Sequence, residues 1–150
     1  LTLHPDKTRL LSFDSPGLGR DSAQQGRSFD FLGFTHYWAK SQQGRWVVKQ
    51  KTATDRFRRG LRKLKEVLRR MMHDPIASQY KRLSAMLRGH FNYFGVIGNG
   101  SGLSRFNQQA VRHWQRTLAR RSDSAIGWSQ LKSLLKRWPL PPPQLRKQPS

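Results

Sequence analysis

The feature that most constrains this chain is a single change of hydrophobic period at about residue 52. Before it, aromatic and β-branched residues come in short runs of strand length; after it, apolar residues recur every three or four positions. Extended and helical patterns that are segregated in this way, rather than alternating, imply an α+β fold. In the first part, residues 8–13 read as a short strand and 14–28 as a loop rich in Gly, Ser and Gln. Residues 29–38 and 45–50 read as the two strands of a β-hairpin, joined through Ser41-Gln42-Gln43-Gly44.

The second part predicts four helices in a small bundle. The first starts at Thr52 or Thr54, either of which suits a cap, and runs to about His73, with Phe57, Leu61, Leu64, Leu68 and Met71 or Met72 on one seam. Asp74 followed by Pro75 predicts a cap and a first helical residue for the second helix, whose buried stripe is Ile76, Tyr80, Leu83, Leu87, Phe91 and Phe94. Gly89 lies away from most of that stripe, where it either permits a close approach or is simply tolerated. The four glycines of residues 95–102 read as a connector, because they lack the Lys-Ser or Lys-Thr of a phosphate-binding loop. A third helix over 103–120 turns Leu103, Phe106, Ala110, Trp114 and Leu118 inward. A fourth, capped by Asp123 or Ser124, carries Trp128, Leu131, Leu135 and Trp138 and stops at Pro139. The division is then 1–52 for the strands, 53–138 for the helices, and 139–150 for a Pro-rich basic tail expected to be disordered.

Charge identifies the partner class. There are 29 Lys and Arg against 8 Asp and Glu, a net charge of +21, and no acid lies between Asp74 and Asp123 or after Asp123. Such an excess repels itself in a folded chain and persists where a polyanion offsets it, nucleic acid being the usual one. The excess peaks in the first helix. At about 100° per residue, Arg58, Arg62, Lys65 and Arg69 form one row and Arg56, Arg59, Lys63 and Arg70 another, with the apolar seam opposite and Glu66 as the only acid among them. A solvated face would mix signs to gain i,i+4 pairs, whereas crowded like charges cost stability unless phosphates answer them.

Other chemistries have little support. There is no cysteine, and His4, His36, His73, His90 and His113 are scattered without metal-ligand spacing. No nucleophile-elbow motif frames a serine. No apolar run is long enough to span a bilayer and no secretory signal is visible, so no membrane partner is expected and a cytoplasmic location fits.

Three blocks occur in order: Leu1-x-Leu3-x-x-x-Lys7-Thr8, then Phe29-Asp30-Phe31-Leu32-Gly33-Phe34, then Leu87-Arg88-Gly89-His90-Phe91-Asn92-Tyr93-Phe94. Their order resembles the reverse transcriptase/maturase proteins encoded by bacterial group II introns, in which LxLxxxKT and FLGF blocks close the polymerase palm before a helical thumb, the maturase domain X. The resemblance extends over nearly the whole chain, and the segment ending Leu118-Ala119-Arg120-Arg121-Ser122 adds to it. It implies a palm-end hairpin followed by a thumb that binds intron RNA and the RNA–DNA template-primer duplex. By that resemblance Lys7 would stabilise phosphate charge near the primer terminus, Phe31, Leu32, Gly33 and Phe34 would form a primer grip, and Arg88 would join the first-helix cations in binding nucleic acid. Read from the residues alone, the second block is a buried strand with a glycine bulge.

The family's YADD aspartates have no counterpart here, nor has any endonuclease module. No catalytic residue is therefore assigned, synthesis by this chain alone is not expected, and no cofactor is implied, Mg²⁺ being expected only in the complete polymerase with its missing fingers and palm portion. The start at Leu1 inside a motif is what a truncated reading frame would look like. The alternatives are a stand-alone RNA-binding or splicing-assistance protein, and a structural ribonucleoprotein component.

Overall fold

A computed structural model describes residues 28–145; the first block, with Lys7, and the strand and loop expected before residue 28 lie outside the described residues. The architecture is α+β, as the change of period implies. Strands β1 (Ser28–Phe31), β2 (Phe34–Lys40) and β3 (Trp46–Thr52) form an antiparallel sheet in the order β1-β2-β3. Helices α1 (Thr54–Arg70), α2 (Ile76–Phe94), α3 (Gly100–Ser122) and α4 (Trp128–Arg137) follow.

The run expected as one strand over 29–38 is two. Phe31 pairs with Phe34, so Leu32 and Gly33 alone make the turn between β1 and β2. Both have positive φ, 54° and 87°. That is the signature of a type I′ turn, whose twist suits adjacent antiparallel strands and which normally carries Asn-Gly. Aromatic residues on both sides conceal the turn in the sequence, and its glycine is a turn residue rather than a bulge. Leucine in the left-handed region is strained, by about 1–3 kcal/mol. Its carbonyl accepts a 2.8 Å hydrogen bond from the Tyr93 hydroxyl, and the Gly33 carbonyl accepts one of 2.9 Å from the Ala53 N–H, so two helices hold the turn. The second hairpin turns through residues 41–45, with Gly44 at φ 79°.

Sheet and bundle meet at Phe34, which is buried against the rings of Tyr93 and Phe94, and at Asn99. Fully buried Asn99 donates 2.8 Å hydrogen bonds to the Thr52 hydroxyl and the Phe94 carbonyl, and its side-chain oxygen accepts the Thr52 N–H at 3.1 Å. Thr52 is thereby engaged as the end of β3, and the N-cap of α1 is Ala53, with no side-chain cap; the threonine caps expected from the sequence are not used. Replacing Asn99 with Ala orphans three groups at this junction. We expect a loss of about 2–3 kcal/mol, measured by urea denaturation.

The core comprises Leu64 and Leu68 of α1, Leu83, Leu87 and Phe91 of α2, and Leu103, Phe106, Ala110, Trp114 and Leu118 of α3. The α3 seam is the one the periodicity implies. Helix α2 begins one residue later than expected, with Pro75 as N-cap and no side-chain cap hydrogen bond. Gly100 and Gly102 lie inside α3 rather than in the connector, and the Asn99 side chain fills the space that a Cβ on Gly102 would need. Asp123 is the left-handed C-cap of α3, φ 53°, instead of starting α4, whose N-cap is Gly127. Trp128 stands outside the core at 68 % exposure, and Leu131 with Leu134, Leu135 and Trp138 makes the inward face of α4. The tail expected to be disordered lies along the bundle in its first part: the Tyr80 hydroxyl donates to the Pro139 carbonyl at 2.6 Å, and Leu140 packs on the core. Apolar Leu and Pro side chains account for that. No helix among the described residues is long and apolar enough to cross a membrane.

Candidate nucleic-acid interface

Because Leu64 and Leu68 are drawn into the core, α1 has its remaining circumference outside, and its eight cations Arg56, Arg58, Arg59, Arg62, Lys63, Lys65, Arg69 and Arg70 are all exposed. Helix α1 packs against both α3 and α2; Arg58, Lys65 and Arg69 of the first row line clefts on the α3 side, and Lys63 of the second row lines one on the α2 side. The α1–α3 side is the more basic. Its first cleft, about 320 Å³, is lined by Arg58 and Leu61 from α1 and Arg105, Gln108 and Gln109 from α3. The Arg105 guanidinium sits 5.6 Å from the centre of the Phe57 ring, a cation–π contact that fixes the wall. Farther along, a second cleft of about 50 Å³ is lined by Lys65, Arg69 and Met72 opposite His113, Arg116, Thr117 and Arg120.

Four arginines of α3 therefore extend this face. Arg105, Arg112, Arg116 and Arg120 lie outside the core, and at the helical spacing they share one row, separate from the buried Leu103, Phe106, Ala110 and Trp114. Sequence reasoning centred on α1 overlooked this row. Its signal is present: the same 3.6-residue period places these arginines together in a stretch with no acid.

On the α1–α2 side a cleft of about 330 Å³ is lined by Gly60, Lys63, Arg82, Gly89 and His90. Nothing lies within 4 Å of a Cβ built on Gly89, so this glycine faces open space. Arg88 is exposed and is not among the residues lining that cleft. Gly60 has a packing role. A Cβ there would come within 3.0 Å of the Phe106 ring, which stacks on His90 with centroids 3.6 Å apart and planes 9° from parallel. Burial pushes the His90 pKa down to about 4, so the ring is a neutral member of an aromatic stack. Burial first, then Arg116 and Lys65, lower the pKa of His113 from its ordinary value.

Of the FLGF residues, Phe34 is buried, Phe31 and Gly33 are half-buried, and Leu32 is exposed at the tip of the turn. A Cβ on Gly33 would lie 3.6 Å from Arg56 Cγ, so the turn and the start of the second cationic row adjoin. Among the described residues no group of three or more His, Asp or Glu side chains is arranged to hold a metal ion. Comparison with family models, with curated proteins and with solved structures found no match to this chain.

Proposed function

We propose that this chain is the nucleic-acid-binding C-terminal portion of a group II intron reverse transcriptase/maturase, holding intron RNA and the template-primer duplex on its helical face. The observation that carries the proposal is the opposition within α1: Leu64 and Leu68 buried, eight cations exposed around them, and a second row of arginines on α3 beside the first. Positively charged clefts of this kind track phosphate backbones with little regard for sequence. The strand-to-helix order and the tight turn at Leu32-Gly33 support the more specific family reading, in which FLGF forms a primer grip. Because the aspartates of the polymerase site are not in this sequence, the activity proposed for the chain itself is binding, and nucleotide addition belongs to the complete protein.

The test is a salt titration of duplex RNA binding. Changing Arg58, Arg62 and Arg69 together to Gln is expected to weaken binding and to reduce the slope of log K against log salt by about 0.7–0.9 for each phosphate no longer neutralised. Thermal stability should hold or rise as like-charge repulsion is relieved. An unchanged slope would mean that this row is only a hydrated surface, and the proposal would fail.

A further inference from the structure

The second α1–α3 cleft differs in kind from the open faces around it. Every charged residue lining it is cationic: Lys65 and Arg69 from α1, Arg116 and Arg120 from α3. The rest of its lining is His113, Thr117 and Met72; no carboxylate lines it, and Glu66, the one acid near it on α1, is exposed to solvent outside it. At about 50 Å³ it has the volume of one or two water molecules. A cleft of that size suits a phosphate group better than a base. Guanidinium groups from both walls, Arg69 on α1 and Arg116 and Arg120 on α3, together with the Lys65 ammonium, are the side chains that bind phosphate oxygens.

We propose that this cleft is a phosphate pocket that seats one backbone phosphate of the bound nucleic acid, with Lys65, Arg69, Arg116 and Arg120 as its cations and His113 as a proton-binding fifth partner. The proposal rests on the nucleic-acid-binding reading above and adds to it a defined subsite with a pH signature.

The direction of that pH dependence is set by the groups facing His113. In the free protein, burial and the cations Lys65 and Arg116 disfavour the imidazolium, so the ring is neutral at pH 7. A phosphate in the cleft offsets part of that field and, close to the ring, raises the His113 pKa. Binding therefore takes up a proton, and affinity increases as pH falls through the range between the bound and the free pKa values. A rise of one pKa unit on binding corresponds to about tenfold tighter binding at the low-pH end. The phosphodiester does not titrate in this range.

The experiment uses the full chain and a fluorescein-labelled duplex RNA, followed by anisotropy between about pH 7.5 and pH 5 at constant salt, the interval around the histidine pKa. The parent should bind about tenfold tighter at the acidic end. His113→Gln should remove most of that pH dependence, the difference between the two curves isolating His113 from the other histidines. Arg116→Gln should weaken binding at all pH values and lower the salt slope by about 0.7–0.9. The His113 ring signals in NMR should give a higher pKa with RNA present than without it. Melting curves identify any variant that fails to fold, and for such a variant the NMR titration of the parent decides the matter. If the parent binds RNA, but His113→Gln and Arg116→Gln behave as the parent does or the His113 pKa is unmoved by RNA, the pocket is refuted while the nucleic-acid reading stands. If the parent binds no RNA, both fall.

Discussion

Replacing Leu64 with Asp is expected to unfold the protein. Leu64 has no solvent exposure and lies where α1, α2 and α3 converge. Truncation alone would remove about 2–5 kcal/mol of packing, as Leu→Ala changes do in cores. The carboxylate adds the cost of a buried, unpaired charge or, if it protonates, the cost of a large pKa shift. Together these reach the range of about 5–15 kcal/mol by which whole domains are stable. The cations on either side in sequence, Lys63 and Lys65, offer no relief, because both are exposed on other sides of the helix. Far-UV circular dichroism should show loss of helix and of a cooperative melt. Leu64→Met should cost less than about 1.5 kcal/mol. A cooperatively folded Leu64→Asp protein would show that α1 does not pack by this seam, and the assignment of its cationic rows to the outside would go with it.

Replacing Gln79 with Leu is expected to cost about 2–4 kcal/mol, although the substitution is hydrophobic and the site is buried. The Gln79 amide nitrogen donates to the carbonyls of Met71 at 2.8 Å and Met72 at 3.1 Å, closing the C-terminal end of α1. Its oxygen accepts the indole N–H of Trp114 at 3.0 Å. One side chain thus ties the end of α1 to the centre of α3 through the first turns of α2. Leucine leaves the Trp114 N–H buried without an acceptor, worth about 1–3 kcal/mol, and two carbonyls without their donor. Changing Trp114 to Phe in the same background removes the stranded donor, so the double variant should lose about 1–2 kcal/mol less than the sum of the single ones. Urea denaturation of the four proteins measures this. Strict additivity would rule out the Gln79–Trp114 bond as a contributor to stability.

These two residues also show what the sequence makes legible. Leu64 is visible from period alone, as is the α3 seam through Phe106, Ala110 and Trp114, because a helix that buries one stripe must repeat it. Gln79 is not visible: a polar residue between Ile76 and Tyr80 reads as solvent-facing until three helices converge on it. The same applies to Asn99, which reads as a loop residue and is fully buried. The threonine caps fail for a related reason, since Thr52 satisfies a partner 47 positions away instead of its own helix end. At Leu32-Gly33 the turn escapes notice because leucine occupies a position that usually signals itself with Asn. The cationic rows of α1 are legible as rows. The cleft at His113 is not, since it needs the packing of α1 on α3 to bring Lys65 and Arg116 to the same ring.

Gly60 gives α1 a fixed index mark along its axis. The Phe106 ring, stacked on His90, would stand 3.0 Å from a Cβ at position 60, so a larger side chain there would run into the stack. If α1 advanced or retreated by one turn, Leu64 or Arg56 would be driven into that stack, so neighbouring settings of the helix are sterically closed. One turn is about 5.4 Å, a displacement large enough to put every cation of α1 opposite a different neighbour on α3. The single missing Cβ therefore acts as a detent: the ruler of charge that α1 and α3 present to a polyanion has one reading, and a ligand meets the same spacing each time it arrives.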